Sequence, residues 1–160
     1  MVCNTFAWPV DGDRHFEWFS KLMGGPVGHL AIRRANAFVN LIVPAGTRRR
    51  LSRDEMDHYR RPFPTPEARM PTYVFPREIL ASRDFLADVE AGLARLADRP
   101  ALIAWGGKDF AFRDTERRRF EAVFPHHRSV VFDQAGHYIQ EDARADLAGE
   151  IETWWGDHGP

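Results

Sequence analysis

Ala101-Leu102-Ile103-Ala104-Trp105-Gly106-Gly107-Lys108-Asp109 decides how the rest of this 160-residue chain is read. Five consecutive apolar residues without polar alternation fit a strand covered on both faces, the habit of a parallel sheet. Arg99-Pro100 stops whatever precedes it, and the glycine pair opens a loop behind it. Downstream, 114–124 has a helical pattern closed by Pro125, and Ser129-Val130-Val131-Phe132 reads as a further strand. Gln134-Ala135-Gly136-His137 is then a loop, and 142–155 a final helix with Leu147, Ile151 and Trp154 inward. Helix and strand alternate, which is the pattern of an α/β fold with a parallel sheet.

Upstream the pattern changes. Residues 1–7 form a short apolar run ended by Pro9 and Asp11-Gly12. An apolar strand at the first residue predicts that the natural start lies further upstream, because domains usually open on a polar lead-in. Apolar spacing predicts helices over 13–23 and 27–43, and Ser52-Arg53-Asp54-Glu55 is a capping box opening a short helix to about Tyr59. Pro62, Pro64, Pro66, Pro71 and Pro76 argue against any long regular element over 62–76. Thr65 is placed to cap one turn there. Ser82 is expected to cap a helix whose inner face is Phe85, Leu86, Val89, Leu93 and Leu96.

Composition narrows the function classes. The chain is 44% hydrophobic, 28% charged and 12% aromatic, with a net charge of −1, which excludes disorder and provides no field to gather nucleic acid or coat an anionic membrane. Arg48-Arg49-Arg50 and Arg117-Arg118-Arg119 are therefore expected as solvated faces paired with acidic neighbours. Cys3 is the single cysteine, so there is no disulfide framework, and its place in an apolar strand suits a buried, inert thiol. No apolar run approaches the roughly 18 residues of a membrane span, and a cytoplasmic location is the expectation. His126-His127 lacks metal-site spacing, so no metal is expected.

Asp109 and His137 each end a loop at the carboxyl edge of a strand, 28 residues apart, where open α/β sheets collect their catalytic groups. Neighbouring strands would bring them together, the carboxylate fixing the imidazole tautomer and leaving the other ring nitrogen as a general base. Spacing leaves a second reading open, in which Asp109 caps the turn at Ala111-Phe112 and His137 bonds to backbone.

Trp105-Gly106-Gly107-Lys108-Asp109 and Ala135-Gly136-His137-Tyr138-Ile139-Gln140-Glu141-Asp142 resemble the acid and histidine loops of the α/β-hydrolases. With Asn4-Thr5-Phe6-Ala7-Trp8-Pro9 and Val74-Phe75-Pro76-Arg77-Glu78-Ile79, nearly the whole chain is similar to the haloalkane dehalogenases. The resemblance implies the C-terminal part of an α/β-hydrolase fold: about three parallel strands with an inserted helical cap. Residues 1–8 would be a core strand, 9–81 the cap, and 82–160 the core carrying both loops. It further implies hydrolysis of carbon–halogen bonds through an aspartyl ester, with His137 as base, Asp109 as supporting acid and no cofactor. The partners would be a small apolar halogenated substrate and water.

Pro76 would line the halide pocket. Trp8 and Phe38, with Phe16, Trp18 and Phe19, would wall an apolar cavity or serve as cap packing. No G-x-D-x-G or G-x-S-x-G elbow occurs, so the nucleophile is expected outside these residues. Asp11 and Asp13 follow the first strand, where some relatives place their acid, but are expected to end the strand and cap the next helix. Epoxide or ester hydrolysis, or a non-catalytic module associating through the edge of its first strand, are the alternatives.

Overall fold

The computed structural model describes residues 1–159. Contacts divide the chain into two units, one of Met1–Ala7, Gly46–Arg49 and the chain from Glu90 on, the other of Trp8–Ala45 and Arg50–Val89. The expected divisions at residues 8 and 81 follow chain order, whereas the contact units take in a four-residue excursion at Gly46 and divide again at residue 90.

The first unit is built on a three-stranded parallel sheet of order β1-β2-β3, with β1 at Val2–Cys3, β2 at Ala101–Gly106 and β3 at His127–Phe132. β1 is far shorter than the seven-residue run: only Val2 and Cys3 pair, opposite Ile103 and Ala104, and Asn4 turns the backbone away at φ 34°. β2 is buried at every position and registers with β3 from Ala101 opposite His127 to Gly106 opposite Phe132. Leu102, Ile103 and Ala104 are wholly inaccessible, and burying such a leucine or isoleucine contributes about 1.5–3 kcal/mol.

Helices α7 (Asp114–Val123) and α9 (Arg144–His158) pack against β2. Ala104, Ala135, Ile139 and Leu147 form one buried cluster, with Cys3, Phe132 and Ile151 packed on it. The helix expected over 142–155 is divided: α8 (Ile139–Asp142) ends at Ala143, whose φ of −126° is not helical, and α9 begins again at Arg144.

The second unit is helical. α1 (Arg14–Met23) starts where Asp13 accepts the His15 N–H at 2.9 Å, so Asp13 is a helix cap, and Asp11 pairs with Arg83. α1 lies against α5 (Met70–Ala81), and α2 (Pro26–Ala35) touches both. Met23, Ile32 and Ala37 are its buried cluster, packed by Phe19, Phe38, Ile42 and Tyr73.

The single helix expected over 27–43 breaks at Asn36, which adopts a left-handed φ of 50° and donates its N–H to the Ile32 carbonyl. Asparagine tolerates that conformation better than most residues, and it ends the helix as a glycine would. One π-helical turn (Phe38–Ile42) and α3 (Val43–Gly46) follow. The box at Ser52 forms as expected and opens α4 (Arg53–Arg60).

The prolines do not prevent α5. Pro71 sits in its first turn, where no donor is needed, and Pro76 lies inside it, removing one backbone bond at a site that is fully buried. Ser82 does not cap α6 (Arg83–Leu93) with its side chain, because its hydroxyl donates back to Glu78 at 2.7 Å. The expected inner face of α6 is not buried either: Phe85 and Leu96 are exposed, and Leu86, Val89 and Leu93 are partly covered. Periodicity shows which residues share a face, but not what covers it. No helix among the described residues is long and apolar enough to cross a membrane.

Candidate active site

The site is assembled where β2 and β3 end. The Lys108 N–H donates to the Ala135 carbonyl and the Gly107 N–H to the Phe132 carbonyl, both at 2.9 Å, so the loop after one strand lies directly on the loop after the other. The glycines make this possible. A Cβ on Gly106 would stand 2.1 Å from the Gly136 carbonyl oxygen, and one on Gly107 would stand 2.9 Å from the Asp133 Cα. The Trp105 indole N–H donates to the Phe112 carbonyl at 3.0 Å and closes the loop that carries the acid.

Within this frame Asp109 and His137 meet. Asp109 Oδ2 is 3.0 Å from His137 Nδ1; the carboxylate side chain is wholly buried and the imidazole is one-quarter exposed. Asp109 Oδ1 meanwhile accepts the Ala111 N–H at 2.7 Å. Asp109 thus fixes the turn with one oxygen and faces the imidazole with the other, and the His137 ring meets that carboxylate. An ionised carboxylate at Nδ1 selects the Nδ1–H tautomer and leaves the Nε2 lone pair to take a proton. Phe112 and Tyr138 flank the imidazole at ring-centroid distances of 5.2 and 5.0 Å, and Phe6 stacks on Phe112 at 5.7 Å.

Three further residues, not singled out in the sequence, hold the histidine loop. Asn4 bonds to both loops through its side-chain amide. Asp142 accepts the Gly136 N–H at 2.8 Å and the backbone N–H groups of Arg48 and Arg49 near 3.0 Å, tying Gly46–Arg49 to the histidine loop. Tyr138 lays its ring over Gly46, where a Cβ would stand 2.5 Å from the aromatic edge. The readable signal was slight for Asp142, an acid at the end of the histidine segment, and Asn4, followed by the equally polar Thr5 in the opening run, gave none.

Burial, with the nearby Asp109 charge, raises the Tyr138 phenol above its ordinary value. A folded-state pKa above the unfolded one contributes stability that is fully present below about pH 10 and is lost as pH rises through the folded value. Thermal melts between about pH 9 and 11.5 should therefore fall more steeply for the native protein than for Tyr138→Phe. Equal slopes would show that the phenol plays no part. Burial likewise raises the Cys3 thiol, although the residue is only half-buried.

Trp8, Phe38 and Pro76 belong to the helical unit, whereas Asp109 and His137 belong to the sheet unit. Trp8 and Pro76 are buried, and Phe38 packs on the Met23 cluster and meets Phe75 edge-on at 6.2 Å. Phe16 is buried, Phe19 packs on the same cluster, and Trp18 is exposed. Within the arginine runs Arg49 pairs with Glu141, Arg117 with Asp114 and Glu121, Arg118 with Asp114, and Arg119 with Glu90.

The chain that carries this sheet edge matches a known family. The model of the alpha/beta hydrolase fold matches residues 4–143, and the chain belongs to that family. It is 41% identical over 153 residues to haloalkane dehalogenase 2 of Mycobacterium tuberculosis, covering 94% of this chain and 53% of that protein. It is 30% identical over 161 residues to a cis-3-alkyl-4-alkyloxetan-2-one decarboxylase of Xanthomonas campestris, covering 96% and 53%. The crystal structure of a putative ancestral haloalkane dehalogenase superposes with a TM-score of 0.80 at 29% identity, covering 95% of this chain and 56% of that one. The chain thus spans about half the length of the curated relatives it matches.

Proposed function

We propose that the chain carries the acid–base half of a haloalkane dehalogenase, with His137 as general base and Asp109 as its supporting acid. The observation that supports this most directly is the 3.0 Å contact between the buried Asp109 carboxylate and His137 Nδ1. Similarity to haloalkane dehalogenases over most of the chain supplies the substrate class, a small apolar halogenated alkane. A cytoplasmic setting belongs to the same proposal, as does strand pairing at β1, one of the two edges of the sheet.

In the cycle proposed, a carboxylate nucleophile from residues outside these 160 attacks the halogen-bearing carbon. A carbon–oxygen bond forms as the carbon–halogen bond breaks, and halide leaves. Nε2 of His137 then takes a proton from water as the water oxygen attacks the ester carbonyl. The tetrahedral species expels the alkoxide, which takes its proton from the His137 imidazolium to become the alcohol, and the carboxylic acid left on the nucleophile loses its proton to solvent, restoring the carboxylate. Water and haloalkane have become alcohol, halide and a proton. Asp109 steadies the imidazolium formed in the middle of this sequence. Pro76, Trp8 and Phe38 are assigned to the apolar substrate wall.

The test is reconstitution. The chain alone, given 1-bromobutane, should release no more bromide than its His137→Ala variant. Mixed with the part of the Mycobacterium tuberculosis relative that this chain does not match, it should release bromide, and the His137→Ala assembly should not turn over. Turnover by the chain alone, or by the His137→Ala assembly, would overturn the assignment, as would silence from a folded assembly. The similarity to the oxetanone decarboxylase favours a second reading, in which the same pair serves a strained lactone. Alkene formation from a cis-dialkyl β-lactone without bromide release would select it.

A further inference from the structure

The contact between Asp109 and His137 is a single hydrogen bond between groups on two separate loops, so something must hold those loops in register. A shift of about 1 Å at either loop would break a 3.0 Å contact. We propose that Asn4 is a positioning residue for His137: its side-chain amide holds the acid loop and the histidine loop in the one register at which imidazole and carboxylate meet. The role of His137 as a base rests on the hydrolytic function proposed above; the geometry stands without it.

Asn4 is 7% exposed, and all of its amide is used. Nδ2 donates to the His137 carbonyl at 2.9 Å and to the Gly136 carbonyl at 3.1 Å, while Oδ1 accepts the Gly106 N–H at 2.9 Å. Gly106 is the last residue of β2 and the first of the turn leading to Asp109, whose own N–H donates back to the Gly106 carbonyl at 3.1 Å. A single rigid amide therefore spans both loops, with one bond to the root of the acid and one to the backbone of the histidine itself.

Two further observations point the same way. Asn4 has a φ of 34°, a positive value that asparagine tolerates better than most residues, so the residue whose amide bridges the loops also suits the turn of the backbone there. Gly136 is held on both sides, its carbonyl by Asn4 and its N–H by Asp142 at 2.8 Å. Hydroxyl or aliphatic side chains of similar size lack the two-donor, one-acceptor pattern that these three backbone groups require.

The Nδ1 proton of His137, followed by NMR in the chain as it exists, reports the register. In the native protein it should resonate well downfield and exchange slowly, and Asp109→Asn should abolish that signature. Asn4→Gly relieves the backbone conformation but removes all three bonds. Asn4→Asp keeps the acceptor for Gly106 but loses both donors. Each variant should retain its fold by circular dichroism and speed exchange of the Nδ1 proton at least tenfold.

Unchanged exchange in both folded variants would overturn the proposal, whatever the assembly does with haloalkanes. Should neither variant fold, the native protein decides. The Asn4 Nδ2 protons and the His137 Nδ1 proton should then exchange through one shared opening, and independent exchange would overturn the role. In the reconstituted assembly, Asn4→Gly should keep the first-turnover bromide burst at full amplitude and slow later turnover at least tenfold, because only the second step uses the base. A burst reduced in amplitude with an unchanged rate per site would indicate a merely structural residue. A silent assembly beside an intact, Asn4-dependent Nδ1 signature would sink the hydrolytic function and leave the positioning role standing.

Discussion

His137→Ala, in the reconstituted assembly, is expected to release about one bromide per site and then stop. The first step needs only the nucleophile and the substrate, so the carbon–halogen bond still breaks. The second step needs a proton taken from water, and an alanine has no group to take it. Positioned general bases contribute roughly 10²- to 10⁴-fold, so steady-state turnover should fall by at least about a hundredfold while the burst survives. Mass spectrometry of the nucleophile-bearing partner should then show the mass of the alkyl group retained as an ester. Loss of the burst together with turnover would mean that His137 acts before the carbon–halogen bond breaks, and the order of steps proposed above would be wrong.

Asp109→Asn should cost nearly as much by a different route. The asparagine can still accept the Ala111 N–H through its oxygen, so the turn that Asp109 holds has a means of surviving. What changes is the face shown to Nδ1. An amide nitrogen there presents N–H to a ring nitrogen that ordinarily donates, and the favoured tautomer places its proton on Nε2, where water must be activated. The imidazolium also loses its counter-charge. Turnover should drop by about 10³-fold or more, and ¹⁵N spectra of the His137 ring should show protonation moved from Nδ1 to Nε2. Retention of the Nδ1–H tautomer in this variant would show that another group sets the ring's orientation.

The meeting of Asp109 and His137 was legible in the chain because both end loops behind strands, although only β2 is a contiguous apolar run; β3 opens on His127-Arg128-Ser129 and is only partly covered. β2 is buried at every position, as such a run predicts, and β3 pairs with it residue for residue. The capping box at Ser52 and the cap at Asp13 were equally plain, since their partners lie within three residues. Asn36 was not legible, because an asparagine in helically spaced apolar sequence gives no sign of a positive φ. α5 was hidden by its own prolines: Pro71 costs nothing in the first turn, and Pro76 is tolerated at a fully buried site. Asn4 was unreadable for a deeper reason. Each of its bonds reaches a group more than a hundred residues away, and no local pattern encodes them.

The approach of Gly106 to Gly136 has a consequence for how this sheet edge can change. Even a methyl group on Gly106 would meet the neighbouring carbonyl at 2.1 Å, so alanine there should already prise the two loops apart. Chemical novelty at this edge is thus channelled away from the hinge between acid and imidazole. A lineage altering its substrate would be expected to carry its substitutions in the helical unit, to which Pro76, Trp8 and Phe38 belong.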